Sequence, residues 1–172
     1  DCDDNNANLY PGIIPGTVTG TSTLCIGTTT TYTSNGNTGG NWTSANDDVA
    51  SVNPTTGLVT ANSAGTTSIS YTVITCNGPE SVSQTVTVNA TPVTDPVSNQ
   101  SVNNGSATST ITFSGTGNSY TWANNNTSIG LAASGTGNIP SFTAINTDVT
   151  PAIANITVSP VNTENGLSCT GS

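Results

Sequence analysis

The sequence predicts an all-β chain of two tandem β-sandwiches in an elongated arrangement, and three observations carry that expectation. Ile69, Tyr71 and Val73 alternate with Ser70 and Thr72, a period of two that turns one face of an extended strand to a core and the other to water. No run shows the 3.6-residue apolar spacing of a helix, and Gly, Pro and Asn interrupt the chain throughout. The third observation is a loose internal repeat with one Trp in the middle of each half.

In chain order, residues 1–16 are a polar leader ending in a short apolar piece, Leu9, Tyr10, Ile13 and Ile14, interrupted by Pro11 and Pro15. Prolines confine such a segment to an edge or a connection. Residues 17–89 read as the first domain. Thr17–Ser34 supplies two short strands around Gly27, and Trp42 heads the next strand. Val49, Ser51 and Leu58, Thr60 flank the turn Asn53–Gly57, where Pro54 presets one dihedral and Gly57 takes a positive φ at little cost. A second turn at Ala64 and Gly65 precedes Ile69–Val73, and Val82–Val88 closes the domain. Residues 90–96 hold two prolines and no strand pattern, so they read as a short, stiff linker.

Residues 97–172 repeat the first domain. Ser101–Ser106 lies over Thr23–Thr28, Trp122–Asn124 echoes Trp42–Asn46, Thr143–Asn146 echoes Thr60–Asn62, and Asn155–Val158 echoes Ser70–Val73. Short strands at regular spacing with one mid-domain Trp indicate immunoglobulin-like sandwiches, in which Trp42 and Trp122 are core residues. Cores of this size usually need a covalent staple.

The charge balance excludes several functions. With no Lys, Arg or His and a net charge of -9, the chain cannot form the basic patch that phosphate backbones require, and anionic lipid repels it. No segment has the length of apolar residues that a spanning helix needs. No signal peptide is visible, which points to a mature chain or a piece of a longer one. The surface must consist of the hydroxyls and amides of Ser, Thr and Asn.

Four cysteines in a strand-and-loop chain point to an oxidising, extracellular setting, and the absence of CxxC and His argues against zinc. Cys25 and Cys76 fall on either side of Trp42, and a bond between them would stabilise the first domain by roughly 4 kcal/mol on chain-entropy grounds. In the second domain Asn103 stands where Cys25 stood, and Cys169, after the Ile156–Val158 strand, is read as keeping the place of Cys76. Cys2 and Cys169 are then left without partners in their own neighbourhoods. After Cys169 only Thr170, Gly171 and Ser172 follow, so the second domain is expected to lack its last strand and to expose an edge.

Two readings follow. In one, the leader of one subunit, through Leu9, Tyr10, Ile13 and Ile14, adds a strand to the second domain of the next, and Cys2 locks to Cys169, giving a filament of copies of the chain. In the other, the residues are cut from a longer repeat protein, and neighbouring modules of the same chain supply the missing strand and the partner of Cys2.

The motif GGNWTSANDDVASVNPTTGLVTANSAGTTSISYTV resembles the bacterial Ig-like group 2 domain, with its Trp-Ser-like start, Val-Ala-x-Val strand, Gly-Leu-Val-Thr turn strand and Ala-Gly-Thr before the last strands. The segment TWANNNTSIGLAASGTGNIPSFTAIN, with NITVSP, is similar to the PKD-like repeats of large surface adhesins of Bacteroidetes, including gliding bacteria. The resemblance implies a secreted, cell-surface adhesive or structural repeat without catalytic residues. PKD-like repeats usually carry a Cys near the position of Asn103, so the resemblance puts the internal bridge of the second domain in doubt.

Catalysis finds no support in the residues. The nine carboxylates are the conventional candidates for a general base, and the adjacent pair Asp47 and Asp48 sits in a turn where Asp is favoured for its backbone hydrogen bonds. Asp1, Asp3 and Asn5 match the opening of a calcium loop, yet Asn6 and Gly12 replace its turn Gly and bidentate Glu, so a solvated acidic terminus is the simpler reading. Trp42 or Trp122 exposed on a platform would instead indicate a carbohydrate-binding module of a surface protein or a polysaccharide-degrading enzyme, with surface glycans as partners. The expectation is a structural or adhesive module of an extracellular bacterial surface fibre.

Overall fold

Thr, Val and Ile dominate the segments that become strands, because branched side chains fit a pleated, half-buried surface. The computed structural model describes residues 12–75 and 78–171, and Cys2, Leu9, Tyr10, Cys76, Asp1, Asp3 and Asn5 lie outside these. The strands are β1 (Val18–Thr19), β2 (Thr23–Cys25), β3 (Thr29–Thr31), β4 (Thr33–Ser34), β5 (Asn41–Ser44), β6 (Ala50–Val52), β7 (Leu58–Ala61), β8 (Gly65–Thr75), β9 (Gly78–Asn89), β10 (Ser119–Asn124), β11 (Ser134–Thr136), β12 (Ile156–Glu164) and β13 (Leu167–Thr170). A single 3₁₀ turn, Thr127–Ile129, is the only helical element among the described residues. The all-β expectation holds. The chain divides into two units, Asp1–Ala90 and Thr91–Ser172.

The first unit places the four-stranded sheet β2-β9-β8-β5 and the three-stranded sheet β3-β7-β6 around one core. Its centre is Tyr32, Trp42, Val59, Ile69, Tyr71 and Val86, all buried. The hairpin β8–β9 runs in register from Gly65↔Val88 to Thr75↔Gly78, and β9 then pairs in parallel with β2 from Thr23↔Thr87 to Cys25↔Asn89. That parallel contact fastens the end of the unit to its beginning.

Two tyrosine hydroxyls brace this core. Tyr71 donates to the Asn37 carbonyl at 2.9 Å and accepts from the Gly40 N–H at 2.9 Å, while Tyr32 donates to the Thr21 carbonyl at 2.8 Å. Burial pushes the Tyr32 phenol above its ordinary pKa, because the phenolate would lose its water. The neutral phenol therefore contributes stability below the unfolded value of about 10, and that contribution is lost as pH rises through the folded value. Urea titrations should show stability falling above about pH 10, with a shallower fall in Tyr32→Phe; equal slopes would contradict this.

The second unit holds the sheet β11-β10-β12-β13. The layer facing it is irregular and rests on the bridges Ala107↔Thr143 and Ile111↔Ile139. Its core is Phe113, Trp122, Leu131 and Ile139, with Ile111, Tyr120, Ile129, Phe142, Ile156 and Val158 only partly buried around it.

The internal repeat is visible in hydrogen bonds. Gly27 donates to the Ala61 carbonyl at 2.8 Å, and Gly105 donates to that of Ala144 at 2.8 Å. Thr28 donates to Cys25 at 3.1 Å, as Ser106 does to Asn103 at 3.0 Å. Gly27 and Gly105 hold φ of 82° and 79°, the left-handed region that glycine enters freely. The overlay of Ser101–Ser106 on Thr23–Thr28 therefore has a physical basis.

Other boundaries move. Residues 92–95, read as part of a linker, carry the first pairing of the second unit: Pro92 is buried, Thr94 bridges Gly115, and Val93 accepts from Thr116 at 3.0 Å. Asn126, rather than Asn124, matches Asn46, since each stands four residues after its Trp and accepts from the N–H two residues on, at 3.1 and 3.0 Å.

Candidate assembly surface

The edge strand of a sheet presents unpaired backbone groups, and natural sheets cover or shorten such edges. In the first unit β9, 12 residues long, covers the whole of β8, 11 residues long. In the second unit the return strand expected to be missing exists, but it is short. β12 runs to Glu164, turns at Asn165 and Gly166, whose φ values are 52° and 78°, and returns as β13 over 4 residues. Positive φ at both central positions is the type I′ geometry that Asn-Gly favours.

β13 pairs with β12 only from Val161↔Thr170 to Glu164↔Leu167, with one further bond from the Gly171 N–H to the Pro160 carbonyl at 2.8 Å. In an antiparallel strand alternate residues aim their backbone groups at the same neighbour. Pro160 faces β13, so Val158 and Ile156 face that side too, where no strand pairs with them among the described residues. Their side chains lie on the core face, opposite Trp122 and Asn124 in the register with β10.

The sequence-matched residues of the two units differ in cover. Leu24 is 6% exposed beside Val88 of β9, whereas Val102, which takes its place in the repeat, is 42% exposed. The stretch 95–107 is exposed throughout.

Of the residues proposed for assembly, Ile13 and Ile14 are exposed, at 44% and 55%. The backbone of Ile14 is not available to another chain, however: it donates to Asn37 Oδ1 at 2.9 Å and accepts from the Asn37 N–H at 2.9 Å. Any donor strand must therefore come from residues ahead of it. Local geometry explains the anchor, since Gly16 and Gly36 lie so close that a Cβ on Gly36 would meet the Ile14 carbonyl at 2.4 Å.

Both cysteines among the described residues, Cys25 and Cys169, are disulfide-bonded. Cys169 is buried on β13 opposite Asn162. It does not keep the place of Cys76, which falls in sequence between β8 and β9, whereas Cys169 comes after the corresponding turn.

Trp42 and Trp122 are buried, at 5% and 7% exposed, so neither forms a platform for a sugar ring. The exposed sheet faces carry hydroxyls instead. Thr43, Ser70 and Ser83 lie side by side across β5, β8 and β9, and Thr72 Oγ1 meets Ser81 Oγ at 2.7 Å. A shallow groove of about 400 Å³ on the second unit is lined by Trp122, Ala123 and Gly135 together with the hydroxyl residues Thr121, Ser134, Thr136, Thr157 and Ser159. Asp47 and Asp48 serve their turn through backbone carbonyls, which accept from Asn62 Nδ2 at 2.7 Å and Ser63 Oγ at 2.6 Å. No group of three or more His, Cys, Asp or Glu gathers among the described residues.

The fold and surface define an all-β, immunoglobulin-like protein of two units. Residues 17–86 match the family described as bacterial Ig-like domain (group 2). Among solved structures, that of the S-layer protein rSbsC(31-844) is similar at 18% identity with a TM-score of 0.32, covering 83% of this chain and 23% of that one. No curated protein matches the chain.

Proposed function

We propose that the chain is a structural module of an extracellular bacterial surface fibre, joining head to tail with copies of itself by strand addition. The asymmetry of the two units supports this reading: among the described residues the first pairs β8 along its whole length with β9, and the second pairs only part of β12 with β13. A contact between that edge and a different surface of the next copy is heterologous, and such a contact propagates instead of closing. The match of residues 17–86 to the bacterial Ig-like family and the disulfide-bonded state of Cys25 and Cys169 support an extracellular setting. A stalk segment of a large adhesin uses the same surfaces, with a neighbouring module in place of the second copy. The carbohydrate-binding alternative is weakened, because both tryptophans are spent on core packing.

Non-reducing peptide mass spectrometry on material isolated from cells tests the joint, with a broad protease because trypsin has no site. The expected result is that Cys25 and Cys169 are each linked within one chain in every species, so that assembled material returns to monomer mass on denaturation without reduction. A link of either cysteine to another copy, found only above monomer mass, would overturn strand addition as the joint.

A further inference from the structure

We propose that the bond between Asp95 and Pro96 is a built-in point of acid scission, that Ser114 latches it in the folded chain, and that the strand 92–95 holds the two pieces together once it is cut. The inference is independent of the fibre reading and concerns the second unit alone.

The sequence supplies the chemistry. Of the nine carboxylates only that of Asp95 precedes a proline. An Asp side chain can turn back on its own backbone carbonyl. Proline eases the departure, because its nitrogen belongs to a tertiary amide and leaves as a secondary amine. In acid a carboxyl oxygen of Asp95 adds to the carbonyl carbon of the same residue, and the C–N bond to Pro96 breaks. The proline nitrogen takes up the carboxyl proton and then a second one from the medium, and a cyclic anhydride remains at position 95. One water opens the anhydride, so the whole step is a hydrolysis with no change of oxidation state. Asp95 and Pro96 are both exposed, so acid and water reach the bond.

The fold supplies the latch. The Ser114 hydroxyl donates to Asp95 Oδ2 at 2.7 Å, and the Ser114 carbonyl accepts the Asp95 N–H at 2.8 Å. A carboxyl group engaged in this way must give up its bond to Ser114 before it can swing onto its own carbonyl. No second titratable group enters: Pro92, Val93 and Thr94 on the same segment, and Ser114, Gly115 and Thr116 across from it, are all uncharged.

The cut does not free the pieces. Ahead of it Pro92 is buried, Val93 donates to Thr116 Oγ1 at 2.9 Å and accepts from the Thr116 N–H at 3.0 Å, and Thr94 bridges Gly115. Gly115 packs so closely that a Cβ on it would meet the Val93 carbonyl at 2.1 Å. After scission residues 92–95 are the end of one piece and still a strand in the fold of the other. A peptide link becomes a joint of the kind by which an extended segment docks on a sheet edge.

Mild acid treatment of the full chain tests this, with fragments followed by mass spectrometry and by denaturing electrophoresis under reduction. The expected products are residues 1–95 and 96–172, and Asp95→Asn should yield neither. Ser114→Ala should be cut at least about threefold faster, the weight of one ordinary hydrogen bond. Returned to neutral pH with its disulfides reduced, the cut protein should elute as one particle with the tryptophan emission of the uncut, reduced chain, and should separate only in denaturant. A chain that acid leaves whole, or equal cutting of Asp95→Asn, overturns the site. An unaltered rate in Ser114→Ala overturns the latch. Pieces that part at neutral pH while the uncut, reduced chain keeps its folded emission overturn the strand as holder.

Discussion

Trp42→Ala will destabilise the first unit by about 3–5 kcal/mol, the cost of removing a large aromatic side chain from a packed core. The ring is 5% exposed, lies 4.8 Å from the Tyr71 ring, and meets Tyr32 edge-on at 6.5 Å. Each such aromatic contact adds about 0.5–1.5 kcal/mol to simple burial. Collapse around the void is restricted, because the Tyr32 and Tyr71 hydroxyls are tied to the Thr21 and Asn37 backbone carbonyls. For a unit of this size each kcal/mol shifts the midpoint by about 4–8 °C, so the loss should exceed about 12 °C. Calorimetry with exchange at Val59 and Val86 as the local readout checks it. A shift of a degree or two would mean that the ring is replaceable and that this core is misread.

Asn124→Leu will destabilise the second unit by at least about 3 kcal/mol, although leucine is the more hydrophobic residue. Asn124 is 7% exposed, and its Nδ2 donates to the carbonyls of Asn126, Leu131 and Ala132 at 3.0, 3.1 and 3.2 Å. Its Oδ1 accepts the Asn126 N–H at 2.9 Å. The amide thus organises the bend after β10, and an apolar replacement leaves buried carbonyls without donors. Asn124→Asp separates shape from hydrogen bonding. Its carboxylate would lose its water and face three carbonyls, which raises its folded pKa above the ordinary carboxylate value, so this variant should regain stability as pH falls through that raised value, the gain being complete near the unfolded value of about 4. Denaturant midpoints at pH 3 and pH 7 measure the difference, and pH-independent values would refute the assignment.

The alternation at Ile69–Val73 and the position of each Trp made the sheets and their cores legible from residues alone. The repeat was legible to the level of single turns, because Gly27 and Gly105 mark the same left-handed position. The return strand β13 was missed for a physical reason. Pro160 interrupts β12 on the side where a proline costs little, its ring nitrogen lying where only β13 would have needed a donor. The Asn165-Gly166 pair is a hairpin signal, but polar residues surround it and mask the alternation of the flanking strands. The anchoring of Ile14 had no signal in its own segment. It depends on Asn37, an unremarkable residue in a loop, meeting the leader through the close approach of Gly16 and Gly36. The role of Asn124 was hidden among three consecutive asparagines that only the bend distinguishes.

The parallel contact of β2 with β9 bears on how a load is carried. A pull along the chain draws the beginning and the end of the first unit in opposite directions. Two parallel strands at those ends slide against each other under such a pull instead of peeling apart. The bonds between Thr23–Cys25 and Thr87–Asn89 are then strained together, and none can fail alone. The first unit is built to resist tension along the chain.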